Sequence, residues 1–316
     1  MTVSEILAKA KTSVFSIEIL PPLKGNSIQN VYNIIDKLVE FDPKFINITT
    51  HHSEIMYKEL PDGGIKKLDV RKRPGSVAIA AAIQNKYKIT TVPHLICKGF
   101  SKEETEYALI DLDFLGVHNL LVLRGDANKL QVGQLAPNRN ENATDLQAQI
   151  NQYNEGIDVN GDSFEKPQIP FAYGMACYPE KHEESPNMEY ELHYMKKKAK
   201  LGAEYFVTQM FYDNQKYFKF VDLCRQEGIT QPIIPGLKPI TMCRHLNLLP
   251  KVFNTTLPIP LSDALQQCKN DAEAKEVGVE WAIRQSKELI EKGAPSIHYY
   301  SLMASESIRR IVKEVF

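Results

Sequence analysis

Residues 90–126 read TTVPHLICKGFSKEETEYALIDLDFLGVHNLLVLRGD. Two apolar, β-branched runs, TTVPHLIC over 90–97 and NLLVLRG over 119–125, flank a segment of helical character. That segment opens on Ser101-x-x-Glu104, a pairing in which each side chain satisfies a backbone N–H of the first turn. It closes on Gly116, which accepts the left-handed conformation common at helix ends. Both flanking runs are almost continuously apolar, as strands covered on both faces must be. A strand, a helix and a second strand in this order predict a right-handed crossover between parallel strands.

The same alternation extends outward in both directions. Further strands are predicted at 14–20 (VFSIEIL), 44–49 (KFINIT), 170–178 (PFAYGMACY), 205–212 (YFVTQMFY), 232–239 (PIIPGLKP) and 296–302 (SIHYYSL). Helical patterns lie between them. In 27–41, Val31, Ile34, Ile35 and Leu38 share a face. The helix over 187–202 ends in lysines and Gly202, which suits the negative end of its dipole. Eight strands with a helix after the last favour a closed (β/α)8 TIM barrel of the α/β class over an open sheet. The expectation is a single catalytic domain over 1–316, with extra helices in two long segments after strands 4 and 7 (127–169 and 243–293).

Composition narrows the function. The chain has 316 residues, 43% hydrophobic and 24% charged, which argues against disorder and fibrous repeats. Lys and Arg number 38 against 39 Asp and Glu, a net charge of -1, so nothing draws the whole chain toward nucleic acid or an anionic membrane. No apolar run is long enough to span a bilayer, and the N-terminus does not read as a signal peptide. Five scattered cysteines without a CxxC predict reduced thiols and a cytoplasmic address. Neither a Rossmann glycine fingerprint, a Walker loop nor a G-x-S-x-G elbow occurs.

In a parallel barrel the chemistry gathers at the C-terminal ends of the strands. Glu18 interrupts the apolar run VFSIEILPP, where a carboxylate is costly unless it is paired or kept protonated. A protonated Glu18 would suit a general acid; a Glu paired to a neighbouring Lys or Arg is the competing reading. Arg124-Gly125-Asp126 forms a sharp charged turn. Arg124 could meet a phosphate and Asp126 a ring system, or the two could close a local turn. His94 reads first as a hydrogen-bonded core histidine, His182 as solvated, and Lys196–Lys198 as a solvated helix end. Adjacent His51 and His52 point apart on an extended chain, which disfavours a shared metal, and no metal site is expected. Gln209 stands out as the polar residue in YFVTQMFY, and Lys238 and Tyr300 lie near the last two strand ends.

Taken together, SIEILPP, FDPKFINIT, VPHLIC, LVLRGD, ACYPEKHEES, HYMKKKAKLGAEYFVTQMFYD, PIIPGLKPI and IHYYSL resemble, in order and spacing, the motifs of the methylenetetrahydrofolate reductase family, in its bacterial form of a catalytic barrel alone. The resemblance implies an FAD-dependent oxidoreductase of one-carbon metabolism, supplying methyl groups for methionine biosynthesis. Its substrates would be 5,10-methylenetetrahydrofolate and NAD(P)H. It implies Glu18 as the general acid and Asp126 as the aspartate beside flavin and folate. It places Thr49, His94, Leu123, Arg124, Gly125, Asp126, Tyr178, His182, Glu191 and Lys198 on the flavin, and Glu18, Gln209 and Tyr300 on the substrate. It also implies a homo-oligomer.

The chain departs from the family at several positions. Ala304 stands where an arginine often meets the folate tail. The aromatic common near Asn142, on the adenine side of the flavin, is absent, His52 replaces a small residue and His245 a glutamine, and 154–166 reads as an insertion. Two rival readings remain open: a Schiff-base lyase or aldolase using Lys238, and a flavin- or folate-binding barrel without catalysis.

Overall fold

The computed structural model describes residues 1–125, 136–301 and 304–316. The chain opens with helix α1 (Val3–Lys9), strand β1 (Val14–Ile19), α2 (Gln29–Ile35), β2 (Phe45–Ile48) and a hairpin of β3 (Glu54–Glu59) and β4 (Ile65–Val70). Then come α3 (Ser76–Tyr87), β5 (Thr90–Ile96), α4 (Lys102–Phe114), β6 (Asn119–Leu123), α5 (Ala143–Asn154), β7 (Ala172–Cys177), α6 (Met188–Lys200), β8 (Tyr205–Thr208) and α7 (Asn214–Gln226). The last part holds β9 (Ile233–Ile234), β10 (Gly236–Leu237), α8 (His245–Phe253), α9 (Ile259–Gln266), α10 (Asp271–Glu291), β11 (Ser296–Tyr300) and α11 (Ser305–Val315).

All eight predicted strands are present, the seventh as β9 and β10 on either side of Pro235. Proline has no N–H to give a ladder, which breaks the strand; its carbonyl still accepts from the His298 N–H at 2.9 Å. This alternation of parallel strands and helices is that of a (β/α)8 barrel. Residues divide into two compact units, Met1–Leu20 with Tyr32–Asn47 and Ala172–Phe316, and Pro21–Val31 with Ile48–Phe171.

In the first unit β7, β8 and β9 pair in parallel in that order, as do β10, β11 and β1. Ile17, Ile19, Met175, Phe206, Ile234 and Tyr299 are fully buried there. The opposite parity of β1 and β11 carries a polar layer, in which Ser16 Oγ lies 2.8 Å from His298 Nδ1. Buried side chains on both faces explain why these strands read as unbroken apolar runs.

In the second unit β5 and β6 pair in parallel, with His94 opposite Leu121 and Ile96 opposite Leu123. The predicted Ser101–Glu104 box forms at the start of α4. The long segment after β6 carries α5, its crossover helix, among the described residues, whereas the one after β10 carries α8, α9 and α10. Residues 154–166 fold as a compact loop. It is closed by a bridge between Ile157 and Ser163, tied to α4 through Val159 N–H donating to Glu106 Oε2 at 2.6 Å, and packed by Phe164 on Tyr153.

Helix α1 and the β3–β4 hairpin have no counterpart in the sequence reading. The hairpin strands are charged and mostly exposed, so they lack the apolar run that marks the barrel strands.

Candidate active site

Glu18 lies one residue before the end of β1 with 7% exposure, opposite Tyr300 of β11. Its backbone carbonyl accepts the Ser301 hydroxyl. Tyr300 in turn donates its phenol to the Thr208 carbonyl at 2.6 Å, reaching across Gly236 toward β8. Only glycine fits beneath that ring: a Cβ at 236 would lie 2.4 Å from Thr208 O and 2.6 Å from the Tyr300 oxygen. Burial, and then the neighbouring Glu18, push the Tyr300 phenol well above its ordinary range, so it stays a protonated donor.

Lys238 follows directly on β10 and is half-buried. Burial lowers its proton affinity, and Glu18 acts in the opposite sense. His245, at the start of α8, is buried and pushed down to about 4 by burial and then by Lys238 and Arg244. It is therefore neutral, and its Nδ1 accepts from Thr241 N–H at 3.3 Å. Gln209 sits just past β8. Its N–H donates to Cys177 O at 2.8 Å, while its own Oε1 accepts from Met210 N–H at 2.9 Å. Tyr178, Glu180, Gln209, Phe253 and Thr255 line one small cleft.

The loop after β7 gathers the next group. Tyr178 and His182 meet edge to face, with ring centres 4.7 Å apart. Glu191 is buried; its Oε2 accepts from His182 N–H at 3.2 Å and from Ser185 Oγ at 2.8 Å. His182 Nδ1 accepts from Glu184 N–H at 3.1 Å, so that nitrogen carries no proton. Lys198 differs from its solvated neighbours on α6: its ammonium turns back to the Ala176 carbonyl at 2.8 Å, near the C-terminal end of β7. Sequence reasoning passes over Glu180, which accepts from Thr255 Oγ1 at 3.1 Å, from Thr256 Oγ1 at 2.6 Å and from Lys216. A glutamate in a charged loop carries no sequence signal of such ties.

The second unit holds the other predicted residues at strand ends. Thr49 Oγ1 lies 3.0 Å from His51 Nε2. His94 is buried, and its carbonyl accepts from Thr50 Oγ1 at 2.5 Å. The Leu123 carbonyl accepts from Cys97 N–H at 3.2 Å and the Arg124 carbonyl from Lys98 N–H at 3.1 Å, so the ladder continues past the end of β6. Gly125 then turns the chain at φ +85°, a conformation that glycine takes without strain. Asp126 lies outside the described residues. Among the described residues no three His, Cys, Asp or Glu side chains are grouped as a metal would require.

The family model for methylenetetrahydrofolate reductase matches residues 2–315. The chain belongs to that family.

Among methylenetetrahydrofolate reductases it is 32% identical over 305 residues to "Methylenetetrahydrofolate reductase (NADH) 1" of Arabidopsis thaliana, covering 93% of this chain and 47% of that one. It is 26% identical to "5,10-methylenetetrahydrofolate reductase" of Escherichia coli, covering 92% of this chain and 86% of that one. The chain thus spans about half the length of the eukaryotic relatives it matches and most of the bacterial reductase. A solved structure from Clostridium thermocellum, described as binding two copies of 5-methyl-5,6,7,8-tetrahydrofolic acid, superposes with a TM-score of 0.56 over 99% of this chain and 98% of that one. At 16% identity that likeness supports the fold alone. No described helix is long and apolar enough to cross a membrane.

Proposed function

We propose that this chain, as one catalytic domain over 1–316, reduces 5,10-methylenetetrahydrofolate to 5-methyltetrahydrofolate with FAD and a reduced nicotinamide. The observation that carries the reading is Glu18, a buried carboxylate near the end of β1 beside Tyr300, in a chain matched by the family over 2–315. When bound, FAD would take hydride from the nicotinamide and give it to the methylene carbon of the folate.

The residues present fit such a cofactor. Arg124, just past β6, and Lys198, whose ammonium reaches the end of β7 from α6, are each cations that suit phosphate oxygens. Lys198 in particular is drawn to the Ala176 carbonyl and not extended into solvent. Thr49, His94, Leu123, Gly125, Tyr178, His182, Glu191 and Asp126 complete the proposed flavin set. The positive φ at Gly125 would let backbone N–H and C=O groups approach a ligand at this turn.

In this reading Glu18, protonated, gives its proton to the ring nitrogen of the folate that leaves as the five-membered ring opens. The C–N bond pair goes to that nitrogen, and the methylene is left as an iminium on the substrate. The Glu18 carboxylate then lies beside the new positive charge. Gln209 and Tyr300 hold the substrate, Tyr300 as a phenol anchored on Thr208. Relatives named for NADPH and for NADH both match the chain, so the reading specifies a reduced nicotinamide without choosing between them. A homo-oligomer, and a cytoplasmic address suited to five unpaired cysteines, complete it.

The test is a visible spectrum of the purified protein with FAD, before and after anaerobic NADH and then methylenetetrahydrofolate. Bleaching by the first and recovery by the second are expected, and absence of flavin absorbance or of bleaching would refute the reading. Glu18→Gln should abolish recovery while leaving most of the bleaching. Equal loss of both would remove Glu18 from the acid role. The lowered proton affinity of Lys238 also suits an amine nucleophile, and failure of borohydride to trap a carbonyl substrate there separates that reading.

A further inference from the structure

Lys238, Tyr300 and Glu18 lie on one rung across three neighbouring parallel strands. The register sets Gly236 against His298 and Leu237 against Tyr299 on one side, and Ser16 against His298 and Glu18 against Tyr300 on the other. The residue after Leu237 therefore sits across Tyr300 from Glu18. Residues of equal parity on paired strands share a face. Two contacts show that they do so here. Ser16 Oγ meets His298 Nδ1 at 2.8 Å one layer below, and a Cβ on Gly236 would touch the Tyr300 oxygen. With strands about 4.8 Å apart, the Cα atoms of Lys238 and Glu18 are separated by about 10 Å, a gap that a lysine and a glutamate can close above the tyrosine ring.

We propose that Lys238 is a positioning residue for the proton-transfer step: its ammonium, facing Glu18 across Tyr300, sets the pH at which Glu18 gives up its proton. The inference rests on the reading of Glu18 as the acid. A cation within a few ångströms favours the carboxylate over the carboxylic acid. Among the described residues, the other titratable groups bearing on this rung are Tyr300 from β11, Cys177 and Tyr178 from the end of β7, His245 from the start of α8 with Arg244 beside it, and Asp271 from the start of α10. Tyr300 is held protonated and neutral, His245 is neutral above about pH 4, and Arg244 is exposed. Among the described residues, Lys238 is thus a half-buried cation of this layer, and Glu18 counteracts its burial. The arrangement gives the acid a defined charge partner and makes its protonation depend on a second strand.

The experiment follows anaerobic reoxidation of the reduced FAD holoenzyme by 5,10-methylenetetrahydrofolate across the alkaline range, in the parent, Lys238→Met, Lys238→Gln and Lys238→Arg. Loss of the cation should move the alkaline limb of the rate profile upward by about one pH unit or more in the Met and Gln variants. Lys238→Arg, which keeps the charge, should leave the limb near the parent's. Bound flavin colour identifies a variant that has not folded, and the remaining neutral variant then carries the test. Coincident limbs in the parent and the neutral variants, or an equal shift in Lys238→Arg, would overturn the proposal. A parent that is not reoxidised at all by the folate would instead overturn the functional reading beneath it.

Discussion

At the scale of single residues, the first unit keeps His298 and His245 neutral by burying them. His298 is fully enclosed and pushed down to about 3 by desolvation, against an ordinary value of 6.5. Its Nδ1 meets Ser16, while its Nε2 has no partner among the described residues. Below pH 6.5 the unfolded chain binds a proton at this histidine and the folded chain does not, so stability falls as pH drops toward 3. His245 acts in the same direction between 6.5 and about 4. Urea unfolding between pH 6.5 and 4.5 should therefore show a falling free energy. His298→Asn should flatten that slope by up to about 1.4 kcal/mol per pH unit, even if it lowers stability at neutral pH. A slope unchanged by the substitution would mean that the imidazole is already protonated in the native state.

At the scale of elements, the loop after β7 owes its shape to ties from elsewhere in the chain. Glu180 gathers Lys216 from α7 and the hydroxyls of Thr255 and Thr256, which follow α8. Its side chain is only 12% exposed, so removing the carboxylate strands partly buried donors. Glu180→Ala should cost about 1–3 kcal/mol in urea unfolding. It should also raise KM for the folate more than it lowers kcat, because the cleft lined by Tyr178 and Gln209 loses one wall. The same ties explain why this residue was illegible in the sequence. Its partners lie 36 and more positions away, and no local period marks them.

At the scale of the whole molecule, the proposed cofactor ties function to stability. A ligand that binds only the folded chain stabilises it by mass action, by about 2.7 kcal/mol at a hundred times Kd. Stripping FAD should therefore lower the unfolding temperature, and adding it back should restore that temperature in proportion to the logarithm of its concentration. An unfolding temperature indifferent to FAD would argue against the cofactor without touching the fold.

The order and type of the barrel strands were legible in the sequence because each is a buried, apolar, β-branched run, and burial on both faces needs no knowledge of what lies beyond. The Ser101–Glu104 box and the turn at Gly125 were legible for a similar reason, since capping and positive φ are local. Glu18 stood out as a charge in such a run, but composition alone left its partner open. Register decided the rest: the position of Lys238 across Tyr300, the need for glycine at 236, the return of Lys198 to Ala176 and the ties of Glu180. The β3–β4 hairpin escaped notice because exposed strands are under no pressure to be apolar. Periodicity reports which face of a strand is buried, and only the packing of distant strands determines which side chains meet there.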